Sequence, residues 1–506
     1  MQRTLRPDQQ FAIDNLRAAL RAGERRVILQ APTGFGKTVL AGAIIESALA
    51  RGKRVLFTVP ALSLVDQALE SFAHEGIMDI GVIQGQHELT NSDQPVQIAS
   101  VQTLMKRRVP RADVVLVDEA HRWFKFYERW FYGFPVVDQE TGKSTITEPW
   151  WIDTPIIGLS ATPWTTGLGN HYNKLIIAGT TEKLIEAGHL SNFKAFAPSE
   201  PDLKGVRTVA GDYHEGDLSD AMQKGSLTAD IVDTWLRLGE RRPTFCFAVD
   251  RAHARHLEEQ FANKGVRTAY IDAHTKREER EDIRRRFHAG EVEVVCNVGV
   301  LTTGIDWDVR CLILARPTKS EILFVQIVGR GLRTAPGKDH CLILDHSDNH
   351  QRLGFVTDIH HTELSLGKKD DREKASEEKV APPKKCPECH YLIPPRISVC
   401  PNCGFKRTPV SKTKVEEGEL AELVRPKKDG AASKWDKGTA FGMLRTYARD
   451  HNHKEGWAFY KFKELYGVSP NHYKDAPLRE PDPAMLSWIK SRQIAWAKSK
   501  YNRPRP

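Results

Sequence analysis

The chain has 506 residues, of which 40% are hydrophobic and 27% are charged, and its 74 Lys or Arg residues outnumber its 65 Asp or Glu residues. This length excludes a single hydrophobic core and suffices for three or four domains. No apolar run approaches the roughly 18 residues of a membrane span and no hydrophobic signal segment is visible, so we expect a cytoplasmic protein that does not enter a membrane.

Residues 31–38, Ala-Pro-Thr-Gly-Phe-Gly-Lys-Thr, have the pattern of a phosphate-binding loop, although Ala31 replaces the usual first glycine. They lie between an apolar run and a helical pattern, the context that such a loop requires. Oriented N–H groups at the helix N-terminus would hold the phosphates, Lys37 would supply charge, and Thr38 a hydroxyl for Mg²⁺. A Gly-rich turn with a chance Lys-Thr pair is the alternative. The predicted nucleotide-binding residues here are Thr33, Gly34, Phe35, Gly36, Lys37 and Thr38.

Two acids follow an apolar run at 114–117, within the sequence Val-Asp-Glu-Ala-His of residues 117–121. The uninterrupted run indicates a buried parallel strand, so the Asp118 carboxylate should emerge at the carboxyl edge of a sheet and hold Mg²⁺. Glu119 is suited to orient and deprotonate an attacking water. An acidic helix cap is the alternative, but it leaves His121 and the upstream loop unexplained. Together with the phosphate loop, these acids predict hydrolysis of a nucleotide.

The stretch 122–150 is rich in aromatic residues. It is either a wedge that stacks on bases, since aromatic side chains bind single strands in this way, or a hairpin that covers the edge of the sheet. We favour the structural interpretation. Its aromatic residues include Trp123, Phe124, Phe126, Tyr127, Trp130, Phe131 and Tyr132.

Four cysteines form two C-x-x-C pairs, Cys386 with Cys389 and Cys400 with Cys403. Each pair can hold one side of a tetrahedral ion, which predicts a structural zinc ribbon with no open position for catalysis. Two disulfides are the alternative, which a reducing compartment disfavours. The ribbon is expected to present a small surface to nucleic acid or to a protein.

Residues 405–506 hold 22 Lys or Arg against 12 Asp or Glu, a difference of +10. Interleaved aromatic residues fit neutralisation of a phosphate backbone and stacking on bases. A small helical domain with an aromatic core is the alternative, and we favour it for the tryptophans. One helical face would carry Met485, Trp488, Ile489, Arg492 and Trp496.

The order of motifs over residues 1–350 resembles that of the superfamily 2 DEAD/DEAH-box helicases. The resemblance rests on the loop, the acids, and the segments 5–10, 59–67, 99–104 and 160–162. It implies that Arg6 and Gln9 bind the adenine, although Asp8 stands where the family often has an aromatic residue. Coupling of ATP to the nucleic acid would fall to His121, Ser160 and Thr162, and contact with backbone phosphates to Gln102, Thr103, Thr275 and Thr302. The alternative for Ser160 and Thr162 is that they act only as caps.

Residues 297–306 and 326–333 resemble the last two helicase motifs. Arg330 and Arg333, three positions apart on a helix, lie on one face, where a solvated surface pair is the alternative. The resemblance implies that they are arginine fingers, a feature worth about 10³ to 10⁵ in the rate of related hydrolases. It also implies that Gln326 holds the water or the phosphate, and that the second domain senses the nucleotide through Gly304 and Asp306.

The stretch 297–345 and the downstream cysteines most resemble the bacterial RadD-like DNA-repair group. This implies an ATP-dependent motor that acts on DNA, single-stranded or branched, in repair, recombination or replication. An RNA helicase, or an ATPase switch that recruits partners without unwinding, is the alternative. The implied cofactors are ATP, Mg²⁺ and structural Zn²⁺.

The expected fold class is α/β, with two tandem RecA-like, doubly wound parallel-sheet lobes followed by a zinc ribbon and a helical domain. The lobes are predicted at 1–200 and 201–365, a charged linker at 366–384, the ribbon at 385–406, a second linker at 407–436, and the basic helical domain at 437–506.

Overall fold

In a computed structural model the chain divides into two units, Met1–Pro409 and Val410–Pro506. The structure describes residues 5–84, 87–107, 109–133, 135–137, 141–146, 149, 151–197, 201, 203–209, 211–222, 225–302, 307–367, 382–395, 397–406, 435–454 and 456–501. Within these ranges, the side chains of residues 63, 225–230 and 494–501 are not described.

The first lobe is a seven-stranded parallel sheet with helices packed against it. Its strands are β1 (Arg26–Gln30), β2 (Val55–Val59), β3 (Ile80–Ile83), β4 (Val96–Ser100), β5 (Val114–Asp118), β8 (Ile156–Ser160) and β9 (Lys174–Ile177), and a separate hairpin contains β6 (Pro135–Val137) and β7 (Ser144–Ile146). The helices are α1 (Pro7–Arg21), α2 (Lys37–Leu49), α3 (Val65–His74), α4 (Val101–Leu104), α5 (Tyr127–Tyr132) and α6 (Thr181–Glu186), with short 3₁₀ turns at Leu62–Leu64 and Leu168–Asn170.

The strand order β3-β4-β2-β5-β8-β1-β9 brings the predicted motifs together at one edge of this sheet. Gln30, the last residue before the phosphate loop, pairs with Ser160, and Asp118 pairs with Leu159. Because all these strands are parallel, their carboxyl ends meet on the same side, where α/β proteins bind ligands.

The aromatic stretch after β5 is part of the core of the first lobe. Tyr127, Trp130 and Phe131 are 2%, 0% and 2% exposed, and the Trp130 ring lies 4.3 Å from that of Trp151. They pack with apolar residues of β1, β2, β5 and β8, so they cover a face of the sheet instead of its edge. The buried rings cannot stack on bases, which agrees with the structural interpretation.

The second lobe is a six-stranded parallel sheet in the order β10-β17-β16-β13-β15-β14. Its strands are β10 (Asn192–Phe196), β13 (Thr244–Ala248), β14 (Thr268–Ile271), β15 (Val294–Asn297), β16 (Cys311–Ala315) and β17 (His340–Asp345), with β11 (Thr208–Val209) and β12 (Asp212–Tyr213) in a small hairpin. Its helices are α7 (Glu215–Met222), α8 (Gly225–Leu238), α9 (Arg251–Asn263), α10 (Arg277–His288), α11 (Glu321–Gly331) and α12 (Asn349–Leu353). The two predicted RecA-like lobes are thereby confirmed.

The boundary between the lobes differs from the predicted one at residue 200. Strand β10 lies within 1–200 but pairs with β17, so it belongs to the second sheet. Its sequence alternates polar and apolar residues, a pattern that gives no indication of which sheet an edge strand joins. The chain therefore crosses between lobes in the five residues that separate α6 from β10.

The cysteine-containing segment continues the edge of the second sheet. Its own short strands are β18 (Lys384–Lys385) and β19 (Leu392–Ile393). Phe196 at the end of β10 forms an antiparallel bridge with Tyr391, with ring centroids 5.4 Å apart, and the Ala197 amide donates to the His390 carbonyl at 3.1 Å. The segment thus covers the open edge of β10, which would otherwise expose unpaired backbone groups.

The C-terminal unit contains the helices α13 (Lys437–Asp450), α14 (Trp457–Tyr466) and α15 (Pro483–Tyr501), with a 3₁₀ turn at Asn471–Tyr473. Leu444, Phe462, Met485 and Ile489 are fully buried between them. Met485 and Ile489 are therefore core residues, as the helical-domain alternative requires. Trp488 is half-buried, and the side chain of Trp496 lies outside the described residues. Across the described part of the chain, no helix combines the length and the apolar character needed to span a bilayer.

We predict that Trp130→Ala destabilises the first lobe by about 3–5 kcal/mol, because it leaves a large cavity against the sheet. Tyr132, which is 38% exposed, offers a control in the same helix, and Tyr132→Ala should cost much less. Chemical denaturation measures both changes. A Trp130→Ala variant with unchanged stability but weaker single-strand binding would contradict the core assignment.

Candidate nucleotide site

The phosphate loop turns between β1 and α2 through two glycines in the left-handed region. Gly34 has φ +85° and Gly36 φ +96°, and a Cβ at Gly36 would lie 2.8 Å from the Gln9 side chain. A side chain at either position would therefore be strained, as expected for a loop that approaches phosphates closely. Helix α2 begins directly at Lys37, so its N-terminal amides point into a cavity of about 460 Å³.

The charged residues of this cavity come from both lobes. Each predicted catalytic side chain except Gln326 lines it, and so do most of the loop residues. The lining includes Thr33, Gly34, Gly36, Lys37, Thr38, Asp118, Glu119, Arg330 and Arg333.

Lys37 pairs with both acids that end β5. Its Nζ lies 2.5 Å from Glu119 Oε1 and 3.9 Å from Asp118 Oδ1. Glu119 has φ +48°, an uncommon conformation for a residue with a side chain. Backbone strain of this kind persists only where the surroundings fix it, and it is frequent at functional sites.

The pKa values of the two acids move in opposite directions. Burial raises the pKa of Asp118 to about 6. Burial would also raise the pKa of Glu119, but the charge of Lys37 and the hydrogen bond from its ammonium keep that pKa below its ordinary value. Glu119 is therefore an anion at neutral pH, as a residue that activates water must be. The Asp118 carboxylate and the Thr38 hydroxyl are hard oxygen donors of the kind that Mg²⁺ prefers.

His121 links the acids to two other predicted motifs. Its Nδ1 lies 2.9 Å from Ser160 Oγ and 3.3 Å from Glu119 Oε2, and its Nε2 lies 3.1 Å from the Gln326 side-chain nitrogen. Burial lowers the pKa of His121 to about 4, so the ring is neutral and has one donor and one acceptor. The Gln326 amide must then donate to Nε2, and Nδ1 must carry the proton. The Thr162 amide also donates to Ser160 Oγ, at 3.1 Å.

Helix α11 of the second lobe lies against the phosphate loop. A Cβ at Gly329 would lie 2.7 Å from Thr33 Cβ, so the helix backbone nearly touches the loop. One turn of α11 thus directs Gln326 to His121 and Arg330 to the cavity. Arg330 is fixed further by donation from Nε to the Thr302 carbonyl at 2.9 Å.

Arg6 and Gln9, predicted to bind adenine, both donate to the Phe35 carbonyl, at 2.6 and 2.9 Å. They form a capping pair at the start of α1, where the Arg6 amide donates to Gln9 Oε1 at 3.1 Å. In this structure they support the loop backbone.

The residues predicted to contact nucleic acid follow the carboxyl ends of β4, β14 and β15. Thr103 and Thr275 use their hydroxyl groups locally, with Ser100 Oγ at 3.0 Å and Asp272 Oδ1 at 3.2 Å. The Thr302 hydroxyl donates to the Gly299 carbonyl at 3.2 Å. Gln102 is exposed at the start of α4, and Gly304 and Asp306 lie outside the described residues.

An ion pair between the lobes was not apparent from the sequence. Arg277, the first residue of α10, lies 2.6 Å from Asp66 at the start of α3. The two residues are 211 positions apart, and although Asp66 lies in the motif segment 59–67, no signal in the sequence pairs it with Arg277.

Residues 2–164 match the family described as type III restriction enzyme, res subunit, and residues 228–335 match the helicase conserved C-terminal domain. The chain belongs to the superfamily 2 helicases.

The chain is similar in sequence to three proteins of known name or source. IRC3 of Saccharomyces cerevisiae, a proposed ATP-dependent helicase, is 30% identical over 361 residues, 67% of this chain and 51% of IRC3. A 51.5 kDa protein of a Lactococcus phage is 27% identical over 386 residues, 74% of this chain and 77% of that protein. The ATP-dependent DNA helicase uvsW of Enterobacteria phage T4 is 22% identical over 357 residues, 64% of this chain and 66% of uvsW. The chain spans about half the length of IRC3.

Next to its helicase lobes, this family member has a cluster of four cysteines. The sulfur atoms of Cys386, Cys389, Cys400 and Cys403 all lie within 4.8 Å of one another, and all four are free thiols. The sulfurs of Cys386 and Cys403 lie 3.7 Å apart, much further than the roughly 2.05 Å of a disulfide. Four sulfur donors at this spacing fit a tetrahedral Zn²⁺.

We predict that Gly329→Ala lowers the rate of ATP hydrolysis without lowering the stability of the protein. Alanine in a helix interior is ordinarily favoured over glycine by about 1 kcal/mol, but here the new methyl would push the helix away from the phosphate loop. We expect the melting temperature to stay or rise while kcat for ATP hydrolysis falls about tenfold or more, since small displacements cost about 10²-fold in rate. Steady-state kinetics beside thermal unfolding test this. An unchanged kcat would show that this contact is not needed.

Proposed function

We propose that the protein is a nucleic-acid-dependent ATPase that moves along or remodels DNA. The observation that carries the proposal is the chain of contacts from Lys37 through Glu119 and His121 to Gln326. It joins the phosphate site of one lobe to the arginine-bearing helix of the other. A change at the nucleotide therefore alters contacts between the lobes.

The ion pair of Lys37 suggests how hydrolysis begins. Bound ATP supplies phosphate oxygens that compete with Glu119 for the Lys37 ammonium. Once released, the Glu119 carboxylate is free to orient a water and to accept its proton. His121, held by its hydrogen bond to Ser160, lies 3.3 Å from that carboxylate.

Arg330 and Arg333 complete the site from the second lobe. Both line the nucleotide cavity, where their charges would stabilise the γ-phosphoryl group in the transition state. Movement of α11 would add or remove these charges. Alternate closing and opening of the lobes, with contacts at Gln102 and Thr275 on either side of the cleft, would then move the strand.

Two observations support DNA as the partner. The relative uvsW is a DNA helicase by name, and the stretch 297–345 resembles the RadD-like DNA-repair group. Repair, recombination or replication is the corresponding role. RNA remains the second candidate, because motors of this type grip mainly the phosphate backbone, which the two nucleic acids share.

The C-terminal unit offers a further surface for nucleic acid. Its residues 435–501 contain 12 Lys or Arg against 7 Asp or Glu. Four partly exposed rings stack there: Tyr447 on His451 at 3.9 Å, and His453 on Trp457 at 4.5 Å. Parallel rings with cations nearby suit stacking of bases and neutralisation of phosphates.

We expect ATP hydrolysis to be stimulated by DNA and to be lost in Lys37→Ala and Glu119→Gln. The first change removes the positive charge that binds the phosphates. The second removes the carboxylate that acts as the base. Lys53→Ala, at an exposed lysine of the same lobe that pairs with Asp113 at 3.1 Å, is the matched control. Turnover is measured with single-stranded, duplex and branched DNA and with RNA, beside a strand-displacement assay on each.

The possible outcomes of that experiment separate the candidate functions. Stimulation by RNA alone would replace DNA with RNA as the partner. Stimulation without displacement would favour a translocase or a recruiting switch. If no nucleic acid stimulates turnover, or both site variants remain active, the proposed function is wrong.

We also propose that the cysteine cluster binds Zn²⁺ and that the ribbon organises a surface for nucleic acid or a protein partner. Purified protein should contain about one zinc per chain, and the double variant Cys400→Ser, Cys403→Ser should contain almost none. Cys246→Ser, which removes a buried thiol of β13, should keep the metal. Elemental analysis that finds much less than one zinc in the parent protein would exclude the assignment.

A further inference from the structure

Lys338 lies beyond the end of α11 and binds three main-chain carbonyl groups. Its Nζ donates to Val309 and Gly331 at 2.6 Å and to Arg333 at 2.7 Å. An ammonium group has three protons, so these bonds use its full donor capacity. One side chain thus joins the segment that leads into β16 to the end of the arginine-bearing helix.

A tight turn directs Lys338 toward these carbonyls. The Lys338 amide donates to the Ala335 carbonyl at 3.1 Å, and Gly337 has φ +69°. Proline at the second position and glycine at the third are typical of a type II turn. Arg310 braces the turn by donating to the carbonyls of Pro336 at 2.8 Å and Gly337 at 3.1 Å.

The crossing between the lobes binds the same piece of backbone. The Ser191 amide donates to the Leu332 carbonyl at 2.7 Å. The carbonyl groups of Gly331 and Arg333 accept from Lys338. Three successive carbonyl groups are therefore hydrogen-bonded, two to Lys338 and one to Ser191. A cation at this point also interacts favourably with the negative end of the α11 dipole.

We propose that Lys338 is a positioning residue for Arg333, which rests on the finger role proposed above. Arg333 lies beyond the last helical residue, so α11 alone does not fix its backbone. The Arg333 carbonyl bond to Lys338 supplies that constraint. Lys338 does not line the nucleotide cavity, whereas Arg333 does. Loss of the Lys338 ammonium should therefore weaken stabilisation of the transition state and leave the binding of ATP nearly unchanged.

The test is a double-mutant cycle in the full-length protein. Lys338→Met keeps most of the side-chain length and removes the ammonium. We expect kcat of DNA-stimulated hydrolysis to fall about tenfold or more, since misplacement of a catalytic group costs up to about 10²-fold, with KM for ATP within about threefold. Arg333→Ala should lower kcat further. The decisive measurement is Lys338→Met in the Arg333→Ala background, where it should lower kcat less than about twofold.

An equal fall in kcat in both backgrounds, or no fall in either, would overturn the positioning role. If Arg333→Ala itself leaves kcat unchanged, the finger role fails instead, so the two failures are distinguishable. Should Lys338→Met not fold, Lys338→Arg moves the cation without removing it and enters the same cycle with the same criterion. Lys264→Met is the control, since Lys264 is an exposed lysine at the end of α9 that lies 3.5 Å from Asp233.

Discussion

The parallel register of the first sheet is the constraint on which the rest of the site depends. Gln30 opposite Ser160 and Asp118 opposite Leu159 place the loop, the acids and the Ser-Ala-Thr segment side by side. A shift of one residue in any of these strands would turn each side chain to the other face. The buried apolar residues on both faces of β1, β5 and β8 hold this register. The site is therefore a consequence of how the core packs.

Burial also determines how the lobes communicate. A protonated His121 beside Lys37 would place two cations in a poorly solvated region, which is costly. Because burial keeps the ring neutral, it can accept from Gln326 while donating to Ser160. The second lobe is thus hydrogen-bonded to a ring that lies 3.3 Å from the Glu119 carboxylate. Among the described residues, the arginines that it adds to the cavity are Arg330 and Arg333.

The phosphate loop, the acids and the cysteine cluster could be predicted because their chemistry requires particular residues at fixed spacing. Contacts between distant segments could not. The membership of β10 in the second sheet, the pair of Asp66 with Arg277, and the three bonds of Lys338 depend on tertiary packing that leaves no local pattern. The aromatic stretch shows the same limit, since its sequence would be the same whether Trp130 stacked on bases or packed on the sheet. Only its burial decides between them.

Strand β10 connects the features that distinguish the second lobe. Its first residue follows Ser191, whose amide holds the segment that leads to Arg333, and its last residue pairs with Tyr391 of the cysteine-containing segment. An edge strand has one side paired and one side open, and here the open side is covered near its end by that segment. The cysteine-containing segment therefore meets β10 at the end of the strand that is remote from the crossing between the lobes. Strand β10 and the residue before it thus make backbone contacts with both the segment that leads to Arg333 and the cysteine-containing segment.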